Sequence, residues 1–340
     1  MPAPPRFDPV RLHARRTPVE PRVPPRARPR GFGALWLAGA ALALAVSLAA
    51  FGVGEEPGAL SDWQALGLGL VQGATELLPI SSSAHLILVP WLADWQYLKE
   101  NDDFNQTFGV ALHLGTLVAV VAYFWSDLTA LALAWWRSAR RRSVTAPEER
   151  LAWFVVVATV PAAVVGALGS EAIPDHLGEP WQIAILLAVF GVLLWIADRR
   201  PARRDTTTLG LREAVLVGLA QCLALAPGVS RSGVTITAGR FLGLGRDEAA
   251  RVAFLLLVPI TFGAVVWQGL TDVVLGDVPP GAEGPFAVGV LAAAASGAVA
   301  IVALLGYVRR HDYSVFVVYR LLVALFVIGL IASGLRGATF

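Results

Sequence analysis

The chain has 340 residues, of which 56% are hydrophobic and only 15% charged, where soluble domains carry about 25% charged residues. With a mean hydropathy of +0.63, this composition excludes an ordinary soluble enzyme and specifies an all-α polytopic membrane protein. The net charge is +2, and the arginines cluster in a few connections, so they report membrane orientation and not a nucleic-acid surface. Cys222 is the only cysteine, which excludes an intramolecular disulfide and argues against a cysteine-based metal centre.

Residues 1–33 are rich in Pro and Arg, with arginines at 6, 11, 15, 16, 22, 26, 28 and 30. Such a segment cannot bury a core and is expected to be a disordered cytoplasmic tail. The apolar run 34–53 follows. A signal-peptide h-region is the competing assignment, but the long basic segment before it favours an uncleaved extra transmembrane helix. Beyond it, a membrane domain is expected over 63–334. Apolar runs of membrane length fall near 105–125, 151–169, 181–197, 252–270, 286–307 and 313–333.

Loop charges assign the sides of these spans. Arg137, Arg140, Arg141, Arg142 and Arg150 lie in the 126–150 connection, and Arg199, Arg200, Arg203, Arg204 and Arg212 in the 198–212 connection. Arg246, Arg251, Arg309 and Arg310 flank later spans. The remaining connections are acidic or neutral. No connection violates the positive-inside rule if 63–92 and 211–243 each enter and leave on the same side, the first from outside and the second from inside. The order "re-entrant hairpin, then three spans" then occurs twice, over about 63–197 and 211–334. Because the halves start from opposite faces, this is an inverted-topology repeat, which places a functional site near the bilayer midplane where broken helices meet.

The two hairpins carry the chemistry. The first contains Gln72, Glu76, the break at Pro79, then Ser81, Ser82, Ser83 and His85. The second contains Gln221, the break at Pro227 and Gly228, then Ser230, Arg231, Ser232 and Thr235. Aligned from Gln72 and Gln221, Ser81 and Ser83 fall opposite Ser230 and Ser232, and Ser82 opposite Arg231. Ionisable groups at membrane depth are costly and tend to be functional. Gln72 and Glu76 share a helix face. Glu76 can act as a base or metal ligand, and His85 as base, acid or nucleophile. The hydroxyls can donate to phosphate or attack it. Residues 227–233 resemble an anion nest leading into a helix at about Val234, with Arg231 as a planar fork for phosphate oxygens. A phosphate ester is therefore the expected ligand. His113 either lines this cavity or bonds a neighbouring helix. Arg240 and Arg320, near span ends, are expected to snorkel, and Trp91, Trp95, Trp125, Trp135, Trp136 and Trp181 to form an interfacial belt.

The pattern Gln72-x-x-x-Glu76, Pro79-x-Ser81-Ser82-Ser83-x-His85 and Pro227-Gly228-x-Ser230-Arg231-Ser232-Gly233-x-Thr235 resembles the two signature motifs of bacterial undecaprenyl-diphosphate phosphatases of the bacitracin-resistance type. The resemblance runs from about Trp63 to about Gly334 and includes Phe108 to Trp125 and Val317-Val318-Tyr319-Arg320. It implies hydrolysis of a polyprenyl diphosphate lipid to its monophosphate at the plasma membrane, from a site opening toward the outer face. A divalent cation is implied, Mg²⁺ or Ca²⁺, with Glu76 as a metal ligand. Carried over by position, Glu76, His85, Ser82 and Arg231 are the expected catalytic residues. Gln72, Ser81, Ser83, Gly228, Ser230, Ser232 and Thr235 are expected to bind substrate. Gln72 stands where many relatives have Glu, Ala84 where Gly is usual, and Gly109 where some carry an acid. The sequence leaves open which atom attacks and whether the protein forms a homo-oligomer. The competing function is a transporter or flippase for a lipid phosphate or small anion, which needs binding groups and two open states but no hydrolytic pair.

Overall fold

A computed structural model of the chain describes residues 60–95, 97–98, 101–169, 177–268 and 282–339. The tail 1–33 and the run 34–53 lie outside the described residues. Those described form eleven α-helices: α1 (Asp62–Leu77), α2 (Ser82–Ala93), α3 (Asp102–Tyr123), α4 (Trp125–Arg141), α5 (Pro147–Leu168), α6 (Pro180–Asp198), α7 (Leu211–Leu223), α8 (Arg231–Phe241), α9 (Arg246–Gln268), α10 (Glu283–Val308) and α11 (Ser314–Ala332). Six of them, α3, α5, α6, α9, α10 and α11, are long and apolar enough to cross a membrane. These match the six expected core spans.

Both hairpins are re-entrant. At one end of the bundle, Asp62 at the start of α1 lies beside Gly284 of α10. Arg336, past the end of α11, donates to the Leu92 carbonyl and pairs with Asp94 at the end of α2. Hairpin α1–α2 thus enters and leaves at the same end. At the other end, Arg203 and Arg204 donate to the Gly243 carbonyl, and Arg204 pairs with Glu213 in the first turn of α7. Hairpin α7–α8 therefore opens at that opposite, arginine-rich end, as an inverted repeat requires.

Local chemistry sets the two breaks. Leu78 is extended because Pro79 follows it, so α1 stops there. Ser81 then takes φ 75° and caps α2, its hydroxyl accepting from the Ala84 N–H. In the second hairpin, Gly228 at φ 101° supplies the turn, and Ser230, also at φ 75°, caps α8 through the Gly233 N–H. Two aligned serines in the same left-handed conformation, rare for non-glycine residues, show that the halves share one backbone solution. Helix α8 starts at Arg231, three residues before the expected Val234.

Arg320 and Arg240 do not snorkel. Arg320 is completely buried. Its guanidinium donates to the carbonyls of Leu187 (3.0 Å), Pro79 (3.2 Å), Gly228 (2.8 Å) and Val229 (3.1 Å). It therefore ties both broken backbones to α6 and α11. Arg240 is buried against Asp198 and the Leu244 and Arg200 carbonyls. Broken helices at membrane depth leave carbonyls that no water can satisfy, and inside the bundle a guanidinium meets more of them than it would at the interface. Two tryptophans also differ from a lipid-facing belt. Trp91 and Trp95 are buried, and Trp91 donates to the Gly337 carbonyl, whereas Trp125, Trp135, Trp136 and Trp181 are exposed. Most of the 126–150 connection is helix α4. It carries its arginines at its C-terminal end, and Trp153 of α5 donates to its Ser138.

Helix α1 is pressed against α10 through small residues. A Cβ on Gly73 would collide with the Ser296 hydroxyl and the Ala293 carbonyl, both on α10. Such close approach drives helix association where lipid tails remove the hydrophobic advantage of burial. Gly73→Val is expected to destabilise the protein by about 2–3 kcal/mol, read as a lower melting temperature in detergent. Gly329→Ala, where an added methyl meets nothing within 4 Å, should leave it unchanged; equal melting of both variants would contradict this packing.

Candidate active site

The two breaks meet around one carboxylate. Glu76, 4% exposed on the last turn of α1, accepts from Arg231 of the other repeat, 155 positions away, through Oε1. Through Oε2 it accepts from the Ser82 hydroxyl at the start of α2. The Gln72 amide lies 3.3 Å from the same oxygen, and His113 Nε2 of α3 lies 3.4 Å away. A charge removed from water is tolerable only when paired and hydrogen-bonded, and here a guanidinium, a hydroxyl, an amide and an imidazole share that task. The Gln72 Oε1 atom, one helical turn below, is buried with no hydrogen-bond partner.

Further bonds lock the two hairpins together. The Ser81 hydroxyl accepts from the Gly228 N–H at 3.2 Å, and the Ser232 hydroxyl donates to the Leu78 carbonyl at 3.0 Å. Ser81 and Ser83 hydroxyls lie 3.2 Å apart, as do those of Ser230 and Ser232. Thr235 donates back to the Arg231 and Ser232 carbonyls, bracing the first turn of α8. Much of the hydroxyl cluster is therefore committed to the scaffold. Among the hydroxyls, Ser82 alone is directed at the carboxylate.

A cavity of about 370 Å³ opens beside this centre. Of the expected residues, Glu76, Ser81, Ser82, Ser83, Ser230 and Arg231 line it, joined by His113, Gln221 and Thr261. Its remaining wall is apolar, with Val110, Ala162, Leu225, Ile260, Ala264 and Val265. A cavity with a charged pole and an apolar wall suits an anionic headgroup on a hydrocarbon tail. Gln72, His85, Gly228, Ser232 and Thr235 lie behind the lining. Arg231 is 20% exposed and occupies the first turn of α8, where the helix dipole also favours an anion.

His85 is turned away from the cavity. Its Nδ1 lies 2.6 Å from the Ser81 carbonyl, which can only accept, so Nδ1 carries the proton. Its Nε2 then accepts from the Tyr319 hydroxyl at 2.6 Å, and the rings stack with centroids 5.6 Å apart. Both nitrogens are used in holding the Ser81–Ser82 corner. The base within reach of the Ser82 proton is Glu76. The motif pattern did not reveal Tyr319 or Arg320 as partners of the two breaks, because their contacts lie 234 and 241 positions away in sequence. His113, whose role stood open, joins the site, its Nδ1 lying 2.7 Å from the Gly109 carbonyl.

Residues 65–326 match the model of the family described as bacitracin resistance protein BacA. An undecaprenyl-diphosphatase of Pelotomaculum thermopropionicum is 46% identical over 275 residues, covering 81% of this chain and 98% of that protein. Those of Thermomicrobium roseum and Gemmatimonas aurantiaca are 45% and 44% identical, covering 78% and 81% of this chain and 96% and 99% of theirs. The family match spans both hairpins and the spans between them, and on this evidence the chain belongs to the bacitracin resistance protein BacA family.

Proposed function

We propose that this protein is an integral membrane phosphatase that hydrolyses undecaprenyl diphosphate to undecaprenyl phosphate and inorganic phosphate. It would act in the bacterial plasma membrane with its site open toward the outer face, recycling the lipid carrier of peptidoglycan synthesis and so conferring bacitracin resistance. The undecaprenyl-diphosphatases to which the chain is 44–46% identical support this reading. The single observation that carries it is the Glu76 carboxylate, which holds the Ser82 hydroxyl on one oxygen and the Arg231 guanidinium on the other inside a half-apolar cavity. An arginine-lined midplane pocket would also serve transport, but a hydroxyl held against a buried carboxylate has work to do in hydrolysis and none in transport.

In the mechanism we infer, the terminal phosphate displaces part of the Arg231–Glu76 pairing and takes up the guanidinium and the N-terminal N–H groups of α8. Ser82 Oγ bonds to the terminal phosphorus as the bond from that phosphorus to the bridging oxygen breaks. The hydroxyl proton passes to Glu76 and from there to the departing undecaprenyl phosphate. Glu76 then deprotonates a water that attacks the phosphoserine. Inorganic phosphate leaves, and the Ser82 oxygen regains its proton from Glu76. His85 acts here as a positioning residue, fixing the corner from which Ser82 projects.

The residues present fit a divalent cation brought in with the substrate. No group of three His, Cys, Asp or Glu side chains able to hold a metal forms among the described residues, so these residues offer no closed cage. Glu76 and Ser82, which line the cavity, nevertheless supply hard oxygens, with the unpaired Oε1 of Gln72 buried behind them, and Mg²⁺ characteristically combines one or two carboxylates with substrate phosphates. Bound there, Mg²⁺ or Ca²⁺ would neutralise charge on the diphosphate oxygens.

In detergent, with no two-sided compartment, the wild-type protein should release phosphate from undecaprenyl diphosphate with added Mg²⁺. Glu76→Gln should lower the rate by about 10²- to 10⁴-fold; equal rates would refute the enzymatic reading. Tyr319→Phe should lower kcat roughly tenfold with little change in KM, because His85 loses one of its two anchors. Unchanged or raised kcat would contradict this positioning role for the Tyr319–His85 contact.

A further inference from the structure

At the arginine-rich end of the bundle, the ends of α6, α8, α9, α10 and α11 enclose a second cavity of about 640 Å³. Five arginines and four carboxylates line it, but the acids are already engaged. Asp198, 6% exposed, takes Arg246 at 2.7 Å and Arg240 at 3.3 Å on one oxygen and the Tyr313 N–H at 3.0 Å on the other. Asp247 faces Arg309 and Arg251, Glu248 accepts from the Gly245 N–H, and Asp312 accepts from the Ser314 N–H. Two guanidiniums on one buried aspartate leave an excess positive charge in the wall of the cavity.

Arg199 and Arg200 complete the cavity lining, and neither pairs with a carboxylate among the described residues. Each is instead placed against an aromatic ring. The Arg199 Cζ lies 3.4 Å from the centroid of Trp195, and that of Arg200 lies 5.9 Å from Phe241. Stacking of this kind orients a guanidinium while leaving its N–H groups free for an anion. Trp195 and Phe241 are themselves 38% and 45% exposed, on helices that cross or enter the membrane. The cavity thus offers unpaired guanidiniums beside exposed apolar rings, at the end that the positive-inside rule makes cytoplasmic. Basic pockets between helices on that side receive phosphate-bearing lipid headgroups.

We propose that this basin binds the headgroup phosphate of an anionic phospholipid of the inner leaflet, with Arg199 and Arg200 on the phosphate and the acyl chains running along Trp195 and Phe241. The proposal stands apart from the catalytic reading, since the two cavities share no residue. The test is native mass spectrometry of the full-length protein in neutral detergent, titrated with phosphatidylglycerol or phosphatidylcholine. Phosphatidylglycerol should be retained preferentially and released as salt rises. The double variant Arg199→Gln/Arg200→Gln should bind it roughly tenfold or more weakly, with phosphatidylcholine unaffected. Arg137→Gln/Arg140→Gln on α4 should bind it like the wild type. Equal retention of the two lipids, salt-insensitive binding by the wild type, or full retention by the Arg199/Arg200 variant would overturn the proposal. So would an inorganic phosphate that binds the wild type while phosphatidylglycerol fails to compete for it, since the ligand would then be free phosphate.

Discussion

Everything in this structure depends on satisfying the carbonyls exposed where two helices break inside the membrane. A backbone group left unpaired in hydrocarbon costs several kcal/mol, and each hairpin exposes a set of them at its proline or glycine turn. Arg320 answers that need with one planar donor, reaching Pro79 in the first break and Gly228 and Val229 in the second. A guanidinium presents five N–H groups in a fixed plane, where an ammonium presents three around a point. With the breaks joined at this residue, the helix starts beyond them, Ser82 and Arg231, come to the same carboxylate. The catalytic geometry follows from how the fold handles its broken backbones.

The inverted repeat explains why the site is built across the two halves. Ser81 and Ser230 adopt the same left-handed φ and the same capping bond, so the scaffold is duplicated. The chemistry is not. Opposite Glu76 stands Leu225, opposite His85 stands Val234, and opposite Ser82 stands Arg231. One copy keeps the acid and the hydroxyl that donates to it, and the other supplies the positive charge. Neither half alone can neutralise the buried Glu76 carboxylate and also meet a diphosphate. Pairing across the repeat does both: Arg231 compensates the carboxylate and, at the start of α8, is placed to meet phosphate oxygens.

The sequence made legible whatever depends on local pattern. Loop arginines sorted the span ends into two opposite sets, and so picked out the re-entrant hairpins. The proline breaks located the pocket, and the gapless alignment from Gln72 and Gln221 anticipated the matched serine caps. What stayed hidden depends on long-range contact. Arg320 looked like an interfacial arginine because nothing near it in sequence shows that its partners are carbonyls on three distant segments. The motif left His85 open as base, acid or nucleophile. Yet α2 turns the imidazole toward Tyr319 and leaves Glu76, six positions before Ser82, as the acceptor of its proton. Helix α4 stayed hidden within a connection because its arginines break the apolar run.

The central claim is that Ser82, activated by Glu76, carries the phosphoryl group between substrate and water. A rapid-quench single turnover with undecaprenyl diphosphate labelled in its terminal phosphate tests it directly, with the label located by peptide mass spectrometry. The account predicts a transient phosphoserine at Ser82 that forms before free phosphate appears and decays as it accumulates. Label on His85, or a full turnover by the Ser82→Ala variant at the wild-type rate with no protein-bound phosphate, would contradict it.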